Sequence, residues 1–154
     1  MKHLLLLPLF VNNLSAYACD CLMSPVKTHI NTTPYLITGE VIELLDNSTS
    51  EGQSHRQWLR LTRQDSSRGY HVRIRVLESF RGEFHAGDTI ELKSHYTTCE
   101  LSFSVGTRAV LFMHKEADAL FITHCSYSEY VTNEEHFTDL MKTIYAETRR
   151  KRQG

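Results

Sequence analysis

The sequence predicts a mainly β domain, a small barrel or sandwich, that ends in an amphipathic helix. Several short runs alternate apolar with polar residues, as in residues 70–80, where Val72, Ile74 and Val76 share one face. Turn residues separate these runs at short intervals, for example at residues 86–88 (Ala-Gly-Asp). Near the C-terminus the apolar period changes from two residues to helical spacing.

Length and composition limit the possible classes of protein. The chain has 154 residues, a formal charge of −1, 41% hydrophobic residues and 23% charged residues. This composition is that of one globular domain and excludes collagen-like, coiled-coil and wholly disordered chains. The near-neutral charge argues against a nucleic-acid partner. Since no apolar run reaches the roughly 18 residues of a membrane span, we expect no transmembrane segment. We also expect the protein to be a monomer.

The remaining strands follow from apolar patterning between turns. Residues 35–45 predict a strand in which Gly39 indicates a bulge. The polar residues 46–56 predict a mobile loop. Further short strands are predicted at Trp58, Leu59 and Leu61, at Ile90 and Leu92, at residues 109–113 and at residues 120–123.

The last segment, residues 132–154, predicts a helix with a basic tail. Thr132 and Glu135 have the spacing of a capping box. Apolar residues then recur on one helical face, which we expect to pack onto the barrel; they are Phe137, Leu140, Met141, Ile144 and Tyr145. The basic run at residues 149–152 suits the helix C-terminus and is interpreted as solvated.

Residues 1–18 have the pattern of a secretory signal peptide. Lys2 precedes an apolar run at residues 4–11, and the small residues Ala16 and Ala18 occupy the positions that a signal peptidase reads. Cleavage after Ala18 would release a protein that begins at Cys19, secreted to the extracellular space or the periplasm. An apolar first strand is one alternative. A lipoprotein acylated at Cys19 is another, although Ala16 stands where such sites usually have Leu.

Four cysteines, an even number, follow the predicted cleavage site, and export predicts two disulfides between them. They are Cys19, Cys21, Cys99 and Cys125. A bond between Cys19 and Cys21 would close a very tight ring. Cys19 and Cys21 would therefore pair with Cys99 and Cys125, in either order, which would pin the new N-terminus twice. A zinc ribbon is disfavoured because neither end has a Cys-x2-Cys pair.

Residues 19–131 resemble the N-terminal domain of the tissue inhibitors of metalloproteinases, a netrin-like family. The resemblance is carried by Cys19-Asp20-Cys21, by Thr38-Gly39-Glu40-Val41, by Cys99 ahead of Phe103-x-x-Gly106, and by residues 122–127 (Ile-Thr-His-Cys-Ser-Tyr). It implies a five-stranded OB-fold Greek-key barrel. It also implies the disulfides Cys19–Cys99 and Cys21–Cys125.

The resemblance further implies inhibition of a secreted zinc metalloprotease. In the family, the α-amino and carbonyl groups of the first cysteine, here Cys19, chelate the catalytic zinc of the protease. The zinc belongs to the target, so no intrinsic cofactor and no catalytic residue is expected. The implied contacts with the protease are Asp20, Cys21, Leu22, Thr97 and Thr98.

One departure from the family bears on the target. Asp20 stands where the family usually has Thr or Ser, at the position whose side chain enters the specificity pocket. A carboxylate is costly to bury without a partner, so either the target pocket carries a cation or inhibition of the familiar matrix proteases is weak or absent.

Two functions of other classes are alternatives to inhibition. The first is a secreted netrin-like module that binds protein or polysaccharide without inhibiting anything. The second is an enzyme, which the sequence disfavours because its eight mature histidines are scattered without a nucleophile–base or metal-ligand pattern.

Overall fold

The computed structural model describes residues 24–62, 67–97, 100–123 and 125–152, with side chains through residue 150. The predicted signal peptide and Cys19 to Leu22 lie outside these ranges, as do Thr98 and Cys99. Within them the helices are α1 (Val26–Thr32), α2 (Ser50–Leu61) and α3 (Glu135–Arg152), and a 3-10 turn covers Asp46–Ser48. The strands are β1 (Tyr35–Leu44), β2 (Val72–Arg81), β3 (Thr89–Lys93), β4 (Arg108–Glu116), β5 (Ala119–Ile122) and β6 (Glu129–Tyr130).

The first five strands close into a barrel. Their order is β1-β2-β3-β5-β4, and β4 pairs back onto β1, while β6 adds to the other side of β4. The β3–β5 pairing is parallel and the other pairings are antiparallel. This connectivity confirms the predicted mainly β class and is that of an OB-fold-like barrel with a C-terminal helix.

Alternating side chains of the strands fill two cores. The core inside the barrel includes Val72, Ile74 and Val76, so the predicted face of β2 is confirmed. The second core lies between the barrel and the helices α1 and α3. Leu36, Val110 and Phe112 of the barrel contribute to it. They meet Ile30 of α1 and Ile144 of α3. Residues 109–113 are buried on both faces of β4, which explains their unbroken apolar run.

Gly39 marks an irregularity in β1, as the sequence predicts. The register of β1 against β2 shifts between Thr38 and Gly39. A Cβ atom at Gly39 would lie 2.4 Å from Cγ2 of Ile74, so the close approach of the two strands requires glycine there.

The prediction of a loop at residues 46–56 and of a strand at Trp58, Leu59 and Leu61 is wrong, because these residues form the 3-10 turn and α2. Thr49 caps α2, since its Oγ1 accepts a hydrogen bond of 3.1 Å from the N–H of Gly52. Leu59 is buried, whereas Trp58 and Leu61 are exposed, which is a helical and not an alternating pattern. The contacts of its buried face stabilise α2, although its polar composition does not show the apolar period of a helix.

The predicted C-terminal helix is confirmed, with a different start. Leu140 and Ile144 are buried, and Phe137 and Met141 pack beside them. The helix begins at Glu135. The hydroxyl of Thr132 accepts a hydrogen bond of 3.3 Å from the N–H of Glu134, so Thr132 and Glu135 do not form the predicted capping box. No helix within the described ranges is long and apolar enough to cross a membrane.

Candidate functional site

Two of the predicted site residues lie within the described ranges. Cys125 follows β5, and its sulfur is in a disulfide bond. Thr97 is exposed in the turn after β3. The other predicted contacts and cysteines, namely Cys19, Asp20, Cys21, Leu22, Thr98 and Cys99, lie outside the description, so the pairing of the cysteines stays a prediction.

Cys125 belongs to a short segment, residues 125–128, that is bound to the buried strand β4. Ser128 Oγ accepts a hydrogen bond of 2.8 Å from the backbone N–H of Phe112. On the other side of Cys125, the N–H of Thr123 donates to the carbonyl of Phe112 at 2.7 Å. Cys125 itself has a φ of 53°, a conformation that non-glycine residues rarely adopt. The residues around the disulfide thus hold a tight turn against a rigid part of the barrel, and we call residues 125–128 the anchor segment.

The anchor segment contacts the first described residue of the chain. The hydroxyl of Tyr127 donates a hydrogen bond of 3.0 Å to the carbonyl oxygen of Ser24. The ring of Tyr127 packs edge-on against His29 of α1, with 5.4 Å between ring centroids. Ser24, two residues before the start of α1, therefore lies beside the anchor segment.

This contact bears on the predicted cysteine pairing. Ser24 is three residues from Cys21, a span of at most about 11 Å for an extended chain. Since Ser24 contacts Tyr127, two residues after Cys125, this short span is consistent with a bond from Cys125 to either Cys21 or Cys19, and the choice between them stays a prediction.

The turn that carries Thr97 is organised by one carboxylate. Glu100 Oε1 accepts from the backbone N–H of His95 at 2.9 Å, and its Oε2 accepts from the hydroxyl of Ser94. The N–H of Glu100 donates to the carbonyl of Thr97 at 3.3 Å, and Tyr96 has a φ of 55°. Thr97 is therefore presented on a tight, hydrogen-bonded turn next to the predicted disulfide cysteine Cys99.

Between α2 and this turn lies a cleft that the sequence did not predict. It has a volume of about 460 Å³ and is lined by residues that include Thr49, Glu51, Lys93 and Tyr96. The Tyr96 ring lies 5.3 Å from that of His55 on α2, so aromatic contacts attach the helix to the turn. The cleft depends on α2, whose formation the local sequence concealed.

Two histidines meet one carboxylate at the end of the β4–β5 hairpin. Nε2 of His114 lies 2.8 Å from Oε1 of Glu116, and Nε2 of His95 lies 3.4 Å from its Oε2. The hydrogen bond with His114, aided by the nearby His95, lowers the pKa of Glu116 against a smaller opposing effect of desolvation. The His95 ring stacks on Phe121 with centroids 4.2 Å apart. These contacts connect the turn of Thr97 to the hairpin.

In the part of the chain that the structure describes, no group of three or more His, Cys, Asp or Glu side chains is placed to hold a metal ion. The His95–Glu116–His114 cluster is a polar contact between the turn after β3 and the β4–β5 hairpin.

No family model matches the chain, and no curated protein matches it significantly. The resemblance to the metalloproteinase inhibitors is a prediction from the residues named above.

Proposed function

We propose that the chain is a secreted inhibitor of zinc metalloproteases that acts through Cys19. After cleavage behind Ala18, the free α-amino nitrogen and the carbonyl oxygen of Cys19 would occupy the open coordination position of the protease's zinc. A catalytic zinc keeps such a position for the water that it activates as a nucleophile. Replacing that water by the amine stops hydrolysis.

The chemistry suits an α-amino group near neutral pH. Only the unprotonated amine binds a metal, and the ordinary pKa of an α-amino group is about 7.7–8.0. Deprotonation therefore costs little at the pH of an extracellular space. A lysine ammonium, with an ordinary pKa near 10.4, would be a poorer ligand for the same reason.

The observation that carries the proposal is the hydrogen bond between Ser24 and Tyr127, two residues after disulfide-bonded Cys125. A chelating terminus must be held rigidly, because otherwise the binding energy is lost in ordering it. Ser24 lies against the anchor segment, and the anchor segment is bound to the buried Phe112. Ser24, which follows the proposed inhibitory segment in the sequence, is thus attached to a closed barrel, and this supports a rigidly held terminus.

The predicted partner is a secreted zinc metalloprotease, with Asp20, Cys21, Leu22, Thr97 and Thr98 as contacts. Thr97 is exposed, which supports it as a contact. Asp20 favours a protease whose specificity pocket carries a cation.

One observation favours the alternative of a netrin-like module without inhibitory activity. The cleft between α2 and the turn of Thr97 lies at the loop between the first two barrel strands, one of the places where OB-folds bind oligosaccharides and other ligands. In that case the chain would bind protein or polysaccharide there, independently of Cys19.

An inhibition screen tests the proposal. The processed protein, which begins at Cys19, is compared with a matched protein that retains Ala18, against a panel of secreted zinc proteases with apolar and with basic specificity pockets. We expect the processed protein to inhibit at least one protease and the extended protein to inhibit none. Equal inhibition by both, or no inhibition by either, would reject zinc chelation. Binding that is indifferent to the extension would favour the alternative.

A further inference from the structure

We propose that Tyr127 is a positioning residue that fixes the direction in which the chain before Ser24 leaves the barrel. The inference rests on the proposed function in that this segment carries the inhibitory terminus. The Tyr127 hydroxyl donates to the carbonyl oxygen of Ser24 at 3.0 Å, across 103 residues of sequence. It is thus a direct, non-covalent link between the end of the inhibitory segment and the anchor segment.

The position of the Tyr127 hydroxyl is set by two other rings. His29 lies edge-on to the Tyr127 ring at 5.4 Å, and Phe112 lies 6.4 Å away at an angle of 52°. His29 and Phe112 are themselves in a T-shaped contact at 6.5 Å. Because Phe112 is fully buried, this three-ring cluster is attached to the interior of the fold. The hydroxyl is therefore preorganised, and the hydrogen bond requires little further ordering.

The chain on the other side of Ser24 is held as well. Arg81 donates to the carbonyl of Ile30 at 2.8 Å and to that of Asn31, at the end of α1. Lys27 lies 3.5 Å from Glu147, a buried carboxylate of α3. These contacts fix α1 but come after Ser24. Of the side-chain contacts that the structure describes, that of Tyr127 is the one that reaches the Ser24 carbonyl.

Removing a hydroxyl that only stabilised the fold would lower the stability of the protein but would not change the motion of the N-terminal segment. The distinction can be measured because the chain offers a matched tyrosine. Tyr145 of α3 also packs its ring on the body of the protein, against Phe80 at 5.3 Å, and donates its hydroxyl to Glu78 at 2.6 Å. Its hydrogen bond joins α3 to β2 and does not involve Ser24.

The test compares Tyr127→Phe with Tyr145→Phe in the processed, disulfide-bonded protein. Both changes keep the ring and remove one hydroxyl, so we expect both variants to fold and to show similar small decreases in Tm. Backbone 15N relaxation of residues 20–24 should show increased motion in Tyr127→Phe alone. Inhibition of a protease found in the screen should weaken in that variant alone, by roughly two- to tenfold, the range of one hydrogen bond.

The two readouts separate this inference from the proposed function. If the unaltered protein inhibits no protease, the proposed function fails, and relaxation of residues 20–24 still decides the role of Tyr127. If Tyr127→Phe leaves that motion unchanged, or changes it no more than Tyr145→Phe does, the positioning role is rejected even where inhibition is found.

Discussion

The carboxylate of Asp46 accepts a hydrogen bond of 3.0 Å from the backbone N–H of Tyr70, 24 residues further along the chain. The same oxygen lies 3.4 Å from the N–H of His71. Asp46 is completely buried, and it thereby closes the long connection between β1 and β2 at its base. All of α2 lies within this connection, so the cleft beside α2 depends on the same carboxylate.

Replacing Asp46 with Ala should destabilise the protein by about 1–3 kcal/mol, because buried backbone N–H groups lose their acceptor. Asp46→Asn keeps an acceptor oxygen and should cost less, about 1 kcal/mol. Urea unfolding with the disulfides intact measures both. Asp88→Ala is the control, since Asp88 accepts from the N–H of His85 in an exposed turn, and it should cost about 0.5 kcal/mol. Equal losses for Asp46→Ala and Asp88→Ala would contradict the role given to burial.

Arg81 connects β2 to the end of α1, and its removal should loosen that helix. The guanidinium donates to the carbonyls of Ile30 and Asn31, and hydrogen bonds from charged groups contribute about 1.5–3 kcal/mol. We therefore expect Arg81→Ala to lower stability by about that amount and to speed amide hydrogen exchange in α1. Arg75→Ala, which removes an ion pair with Glu40, should lower stability clearly less than Arg81→Ala does and leave α1 unchanged.

The lowered pKa of Glu116 predicts a pH dependence of stability. A carboxyl whose pKa is lower in the folded than in the unfolded state stabilises the fold above its ordinary value, and this contribution is lost as pH falls through the lowered value. The stability difference between wild type and Glu116→Gln should therefore be largest above the ordinary pKa of a glutamate carboxyl and decrease as pH falls below it. A Glu116→Gln difference that grows on acidification would have the wrong sign.

The strands that pair inside the barrel could be predicted from the sequence, because burial of one face leaves a period of two. Val72, Ile74 and Val76 are an example, and Gly39 was a correct indication of a bulge. The helices α1 and α2 could not be found in this way. α1 has seven residues and one fully buried side chain, Ile30, so it has too few turns to show a period. α2 is polar, and the one local signal that could have found it is Thr49 as an N-cap.

The candidate site was predicted only in part, for a similar reason. Cysteine spacing indicated that distant parts of the chain meet, and Cys125 is disulfide-bonded. The contact of Tyr127 with Ser24 joins residues 103 positions apart through a single hydroxyl, and no local pattern encodes such a pair. The His95–Glu116–His114 cluster likewise forms only when β3 and the β4–β5 hairpin are brought together.

Asp20 should determine which proteases are inhibited. Burying an unpaired carboxylate in an apolar pocket is costly, so Asp20→Thr should increase affinity for proteases with apolar specificity pockets, by about tenfold or more. Affinity for a protease with a basic pocket should fall. Inhibition constants across the panel measure both changes, with Thr97→Ser as a conservative control at another of the predicted contacts. No change across the panel would place Asp20 outside the contact.

The most direct measurement of the central claim is a crystal structure of the processed protein bound to an inhibited zinc protease. The account predicts that the α-amino nitrogen of Cys19 lies about 2.0–2.1 Å from the catalytic zinc, with its carbonyl oxygen also coordinated and the zinc-bound water displaced. A complex in which the zinc retains its water and Cys19 lies away from the metal would contradict it.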